Sequence, residues 1–272
     1  VLSIRSSKWD WDYLSEFSKC FRKEKEFESR FHRFLKYLNF QVFSKRTDSN
    51  ITEELIYKTI DNEWDWILLS ANQSVRLSLN FIKEHKDKNW DWQVLSARSD
   101  IKFENSIFIE LENQEWDWNA ISKRTDITFS EEFISKLHHK PFDWTLVSRN
   151  ETFIPNAKTL SLLNGKKLDW EAISGNPCLS LEILWDYKED LDWKSLTKNS
   201  VIDISDIVFL NKYQEYLDWN YISQSEKFFI SFENLHQFKD KLNWNVINNR
   251  KDFVISHELL EPFADILNWS NV

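Results

Sequence analysis

Trp116-Asp117-Trp118-Asn119-Ala120-Ile121-Ser122 is the stretch that decides how this chain folds. Aspartate accepts backbone N–H bonds at helix N-termini, so Asp117 reads as an N-cap. Trp116 then stands at N′ and Ile121 at N4, the two positions of a hydrophobic staple, and Trp118 and Ile121 share one helical face. The segment predicts the start of a short helix. Its pattern is an aromatic or Leu, Asp or Asn, Trp, two variable residues, an aliphatic and Ser. It recurs, as in Leu168-Asp169-Trp170-Glu171-Ala172-Ile173-Ser174. Aligned on the second aromatic, the copies fall at Trp11, Phe40, Trp66, Trp92, Trp118, Trp144, Trp170, Trp193, Trp219, Trp244 and Trp269. The steps are 29, 26, 26, 26, 26, 26, 23, 26, 25 and 25 residues. Fourteen of the fifteen tryptophans belong to the motif, and only Trp185 stands outside it. Such fidelity is the signature of a repeat array.

A second helix start follows seven of the motifs by twelve residues, at Thr52, Ser78, Ser130, Asn156, Ser205, Ser231 and Ser256. All are capping types. Apolar residues then recur at helical spacing, as in Phe133, Ile134 and Leu137. Each unit therefore reads as two short antiparallel helices. The fold class that follows is all-α, an α-solenoid of about eleven two-helix repeats of 26 residues. A leucine-rich repeat is the competing reading, because Leu69-Ser70-Ala71-Asn72 imitates part of its pattern. A strand there needs an apolar residue two before the Leu, and the corresponding positions, Ile67, Gln93, Asn119, Thr145, Glu171, Lys194, Asn220 and Asn245, are mostly polar.

The chain reads as a single array over residues 1–272, with residues 16–37 as an irregular basic and aromatic repeat. Val1-Leu2-Ser3-Ile4-Arg5 matches the second half of a motif, and Leu267-Asn268-Trp269 opens one. Neither end supplies the polar cap a solenoid needs. The array is expected to continue in a longer chain or to be covered by a partner.

The unit headed Leu168-Asp169-Trp170-Glu171-Ala172-Ile173-Ser174-Gly175-Asn176-Pro177 resembles the Leu-Ser-x-Asn-Pro repeats of giant-virus and some bacterial proteins. Other copies of the pattern here are Trp-Asp-Trp or Leu-Asp-Trp with Asn72, Asn150 or Asn199 at the Asn position, or with Arg46, Arg98, Arg124 or Arg250 there. The resemblance implies tandem helical hairpins and no fixed biochemical activity.

Composition narrows function. Only two glycines are present, too few for phosphate-cradling loops or a strained nucleophile turn. Two cysteines give no metal-ligand spacing and no disulfide framework, which suits a reduced cytoplasm. No segment reads as a membrane span or a signal peptide. His138 and His139 are adjacent and point apart on a helix, and the motif serines recur as a structural position. No enzyme, metal or cofactor is expected.

The net charge of −9 disfavours a dedicated nucleic-acid binder. Two groups of cations are nonetheless candidate binding residues. Arg46, Arg98, Arg124 and Arg250 stand six residues after the motif aromatic, where the first helix should end. There Asn suits a left-handed C-cap and Arg the negative end of the helix dipole. Asp48, Asp100 and Asp126 follow, so the alternative is a ladder of surface ion pairs worth about 0–1 kcal/mol each. The second group is Arg22, Lys23, Arg30 and Arg33. The expected role is a scaffold or recognition arm that holds a protein partner or flanking domains of the same chain. The alternatives are a sensor region of a multidomain conflict effector and nucleic-acid binding through the Arg stripe.

Overall fold

The computed structural model describes residues 9–17, 35–49, 51–254 and 262–267. Expectations for Val1–Arg5, Ser256, Asn268 and Trp269, and for most of 16–37, lie outside the described residues. Among the described residues every regular element is an α-helix or a short 3-10 turn, and strands are absent. The architecture is an α-solenoid of two-helix repeats.

Contacts divide the array into two compact units, residues 1–143 and 144–272. In the first, the motif helices are Trp11–Phe17, Phe40–Phe43, Trp66–Ala71, Trp92–Ala97 and Trp118–Ser122. The second helices of its repeats are Glu53–Lys58, Leu79–Glu84, Asn105–Glu110 and Glu131–Leu137. Like packs on like: Trp66–Ala71 contacts Trp92–Ala97, which contacts Trp118–Ser122, and Asn105–Glu110 contacts Glu131–Leu137. In the second unit the motif helices are Trp144–Ser148, Trp170–Gly175, Trp193–Lys198, Trp219–Gln224 and Trp244–Ile247. Its second helices are Ala157–Leu162, Ile207–Tyr213 and Phe232–Gln237, with a 3-10 turn at Leu181–Ile183. That turn replaces a helix in the 23-residue repeat and accounts for its missing length.

The capping chemistry acts as the sequence predicts. Asp65, Asp91, Asp117, Asp169, Asp192 and Asp218, with Asn39 and Asn243, accept from amides in the first turn of their helices. Thr52, Ser78, Ser130, Asn156 and Ser231 do the same for the second helices. Ser205 differs. Asp206 takes the cap, accepting from Val208 and Phe209, while the Ser205 hydroxyl turns back to Asp203. A carboxylate one residue later outcompetes the hydroxyl for the same amides.

Motif aliphatics such as Leu69, Leu95, Ile121, Ile173, Leu196 and Ile222 are fully buried, and so are Phe81, Phe108 and Phe133 on second helices. The N′ aromatics Trp64, Trp90, Trp116 and Phe142 are core as well, each edge-on to the motif aromatic one repeat earlier at 4.8–4.9 Å. Edge-to-face pairs add about 0.5–1.5 kcal/mol beyond burial.

The Trp-or-Leu exchange at N′ has a hydrogen-bond consequence. In the first unit the indole N–H of Trp64, Trp90 and Trp116 donates to the carbonyls of Thr59, His85 and Leu111, closing the end of the preceding helix. Where N′ is Leu191, Leu217 or Leu242, the motif indole takes over. Trp193, Trp219 and Trp244 donate to Lys188, Gln214 and Lys239.

Candidate functional site

The repeated polar residues meet at the seam between successive repeats. The motif Ser folds back on its own helix: Ser96 Oγ donates to the Trp92 carbonyl at 2.7 Å. The same oxygen accepts from the Asp117 amide of the next repeat at 3.0 Å. Ser44, Ser70, Ser122, Ser174, Thr197 and Ser223 accept in the same way from the backbone amides of Asp65, Asp91, Asp143, Asp192, Asp218 and Asn243. One hydroxyl thus joins two repeats and is consumed in doing so.

The Arg-or-Asn position completes the seam, and its local reading needs correction. Asn72, Asn176 and Asn199 do not turn left-handed; their φ values are −81°, −70° and −65° with extended ψ. Among the described residues only Gly165 has positive φ, at 77°. The Asn side chain instead bridges. Asn72 Nδ2 donates to Ser44 and Arg46 carbonyls at 2.9 and 2.8 Å, and its Oδ1 accepts from the Ser74 amide. Asn199 makes the same pair of bonds to Ser174 and Asn176. The freed carbonyls at the end of one motif helix are capped from the next repeat, which removes the need for a left-handed residue.

Arginine solves the same problem with more donors. Arg124 Nε and Nη2 grip Asp126, Nη1 donates to Ser96 and Arg98 carbonyls, and Nη2 also reaches the Ile101 carbonyl at 2.7 Å. Arg98 engages Asp100 and the Leu69, Ser70 and Val75 carbonyls. Arg250 engages Asp252 and the Ser223, Ser225 and Phe228 carbonyls. A guanidinium has five N–H donors, and in these three residues each finds an acceptor. Arg46 pairs with Asp48 and the Ser15 carbonyl.

The side chains of Arg46, Arg98, Arg124 and Arg250 are only 3%, 2%, 10% and 7% exposed. The Arg–Asp pairs are therefore half-buried seam elements and not a ladder of surface pairs. Arg22, Lys23, Arg30 and Arg33 lie outside the described residues.

The aspartates report this grip. The hydrogen bond from Arg98 holds the Asp100 carboxyl below the usual range, and Arg250 does the same for Asp252. For Asp126 burial acts upward most strongly. The Arg124 side chain and the Phe103 amide together outweigh it, and the net displacement is downward.

What remains for other molecules is the solvent-facing surface. The residue after the motif aromatic is exposed and differs between repeats: Ile67, Gln93, Asn119, Glu171, Lys194 and Asn220. In the second unit, large apolar side chains also face solvent at and just after the 3-10 turn and on the two second helices that follow it. Leu181 is 47% exposed, Trp185 53%, Val208 76%, and Phe232 39%. These helices adjoin. Lys212 Nζ, one turn beyond Val208, lies 5.7 Å from the Trp185 ring, and Gln237 bonds Asn211 at 2.6 Å. At the start of the second helices the first unit is more polar, with Glu53, Glu54, Asn105 and Glu131, while Tyr57, at the place of Trp185, is 44% exposed. Trp185, which the repeat register left over, marks this face, although the sequence reading took no function from it.

Among the described residues no cluster of His, Cys, Asp or Glu could hold a metal ion. The His138 and His139 rings stand 6.0 Å apart at 89°. Among the described residues no helix is long and apolar enough to cross a membrane. Compared with known proteins, the chain matches no family model, no curated protein and no solved structure.

Proposed function

We propose that this chain is a non-catalytic, cytoplasmic protein-interaction array that holds a protein partner on the outer side chains of its hairpins. The observation that carries the reading is the set of large apolar side chains turned to solvent on successive repeats, Leu181, Trp185, Val208 and Phe232. Exposed apolar patches of this kind mark interaction surfaces, and tryptophan is enriched among the residues that anchor them. The division of labour supports the reading. Repeated residues are spent on the seam, and variable ones are left outside, where they tune contacts without disturbing the stack.

The test is site-specific photo-cross-linking in cells. A photoreactive residue replaces Val208, with exposed polar Ser161 as control. The reading expects one dominant protein adduct from position 208, and binding of that purified partner that Val208→Asp weakens by about tenfold or more. Equal adducts from positions 208 and 161, or an unaffected affinity, contradict it.

A further inference from the structure

An open groove of about 610 Å³ lies in the first unit, between motif helices Trp92–Ala97 and Trp118–Ser122 and the chain that follows each. Two alanines make room for it. Ala120 stands where other repeats carry Leu68, Val94, Leu146 or Tyr221, and Ala97 where others carry Lys45, Lys123 or Arg149.

The charges lining the groove do not cancel. Asp117 caps its helix, accepting from the Asn119 and Ala120 amides at 3.0 Å. Asp126 is held by Arg124 and by the Phe103 amide at 2.8 Å. Arg124 itself has every donor turned into the seam. Arg124 offsets Asp126, and Lys102 and Lys123 exceed the remaining carboxylate, Asp117, by one positive charge. Both lysines are exposed, and neither has an anionic partner among the described residues. Ser99, Thr125 and Asn119 add neutral donors along the same walls.

We propose that this groove binds an acidic, extended peptide segment of a protein partner, whose carboxylates reach the Lys102 and Lys123 ammoniums. Two cations at one repeat junction suit one or two carboxylates. They are too few to track a nucleic-acid backbone, which needs a run of phosphate contacts. The groove lies in the other unit from the apolar face and stands independently of it.

The experiment is fluorescence anisotropy on the full chain, with a fluorescein-labelled peptide of alternating Asp and Glu as probe and single-stranded oligothymidylate and inorganic phosphate as competitors. The peptide is expected to bind, and to weaken as salt rises. Lys102→Glu with Lys123→Glu is expected to weaken it about tenfold or more. Ala120→Leu, which fills the groove with a side chain that sister repeats carry at Leu68, is expected to do the same. Lys241→Glu and Val208→Asp are expected to leave it unchanged.

The absence of peptide binding overturns the proposal. Insensitivity to Ala120→Leu or to the paired lysine change does so too, as does displacement by oligothymidylate at concentrations where free acidic peptide fails. Circular dichroism of each variant separates lost binding from lost folding.

Discussion

The Arg124 guanidinium donates at 2.9 Å to the backbone carbonyl of Arg98, the residue holding its own place one repeat earlier. Asn72 makes the equivalent bond to Arg46, and Asn199 to Asn176, each at 2.8 Å. The position is thus a bridge whose donor is a guanidinium in some repeats and an amide in others.

The motif hydroxyl is the second bridge. Ser96→Ala removes the acceptor for the Asp117 amide and the donor to the Trp92 carbonyl. Urea denaturation should show a loss of about 1–3 kcal/mol, the cost of leaving such groups unpaired. Ser96→Thr should stay closer to the parent, because Thr197 already makes the same two bonds.

Trp116→Leu looks harmless from the sequence, since Leu191 and Leu217 fill the same place. The structure predicts otherwise. Trp116 donates to the Leu111 carbonyl at 2.8 Å and packs edge-on to Trp92 and Phe108. Its loss should lower stability by about 1–3 kcal/mol in thermal or chemical unfolding, combining lost ring contact and one hydrogen bond.

Acid should unfasten the seam. Asp100, Asp126 and Asp252 have folded-state affinities for protons below the ordinary aspartate value. A depressed folded pKa adds stability above the unfolded value, near pH 4, and that stability is lost as pH falls through the folded one. The melting temperature should therefore drop below about pH 4. Asp100→Asn with Asp252→Asn should lower it at neutral pH and flatten the fall. An unchanged slope in that variant counts against the seam aspartates.

The apolar face should be silent in folding. Trp185→Ala with Val208→Ser should shift unfolding free energy by no more than about 0.5 kcal/mol per site, as exposed positions do. A larger loss would show that these side chains serve the core and would remove the support for partner binding.

The hairpins were legible because N-cap chemistry is local. Asp117, its staple residues and the capping Thr52 or Ser78 all act within one turn of where they stand. The seam was not legible from one repeat, because its bonds join residues 18 to 31 positions apart. Reading Asn72 by local rules gives a left-handed C-cap; the neighbouring repeat supplies carbonyls that make a different geometry better. The Arg-x-Asp spacing was visible as an ion pair, but its burial follows from the carbonyls behind it. Trp185 was visible only as a break in register, and its exposure depends on the 3-10 turn of a shortened repeat.

The account rests on interchangeable bridging by Arg and Asn, and equilibrium unfolding of Arg98 variants tests it most directly. Arg98→Ala should lose about 2–4 kcal/mol, since charge-assisted bonds to buried carbonyls disappear. Arg98→Asn should recover about 1 kcal/mol of that by restoring an amide bridge to the Ser70 and Asn72 carbonyls, the places that Asn72 and Asn199 bond one repeat back, and Arg98→Lys should not match it. If asparagine proves no better than alanine, or if all three changes stay within about 0.5 kcal/mol of the parent as surface substitutions do, the bridging account is wrong.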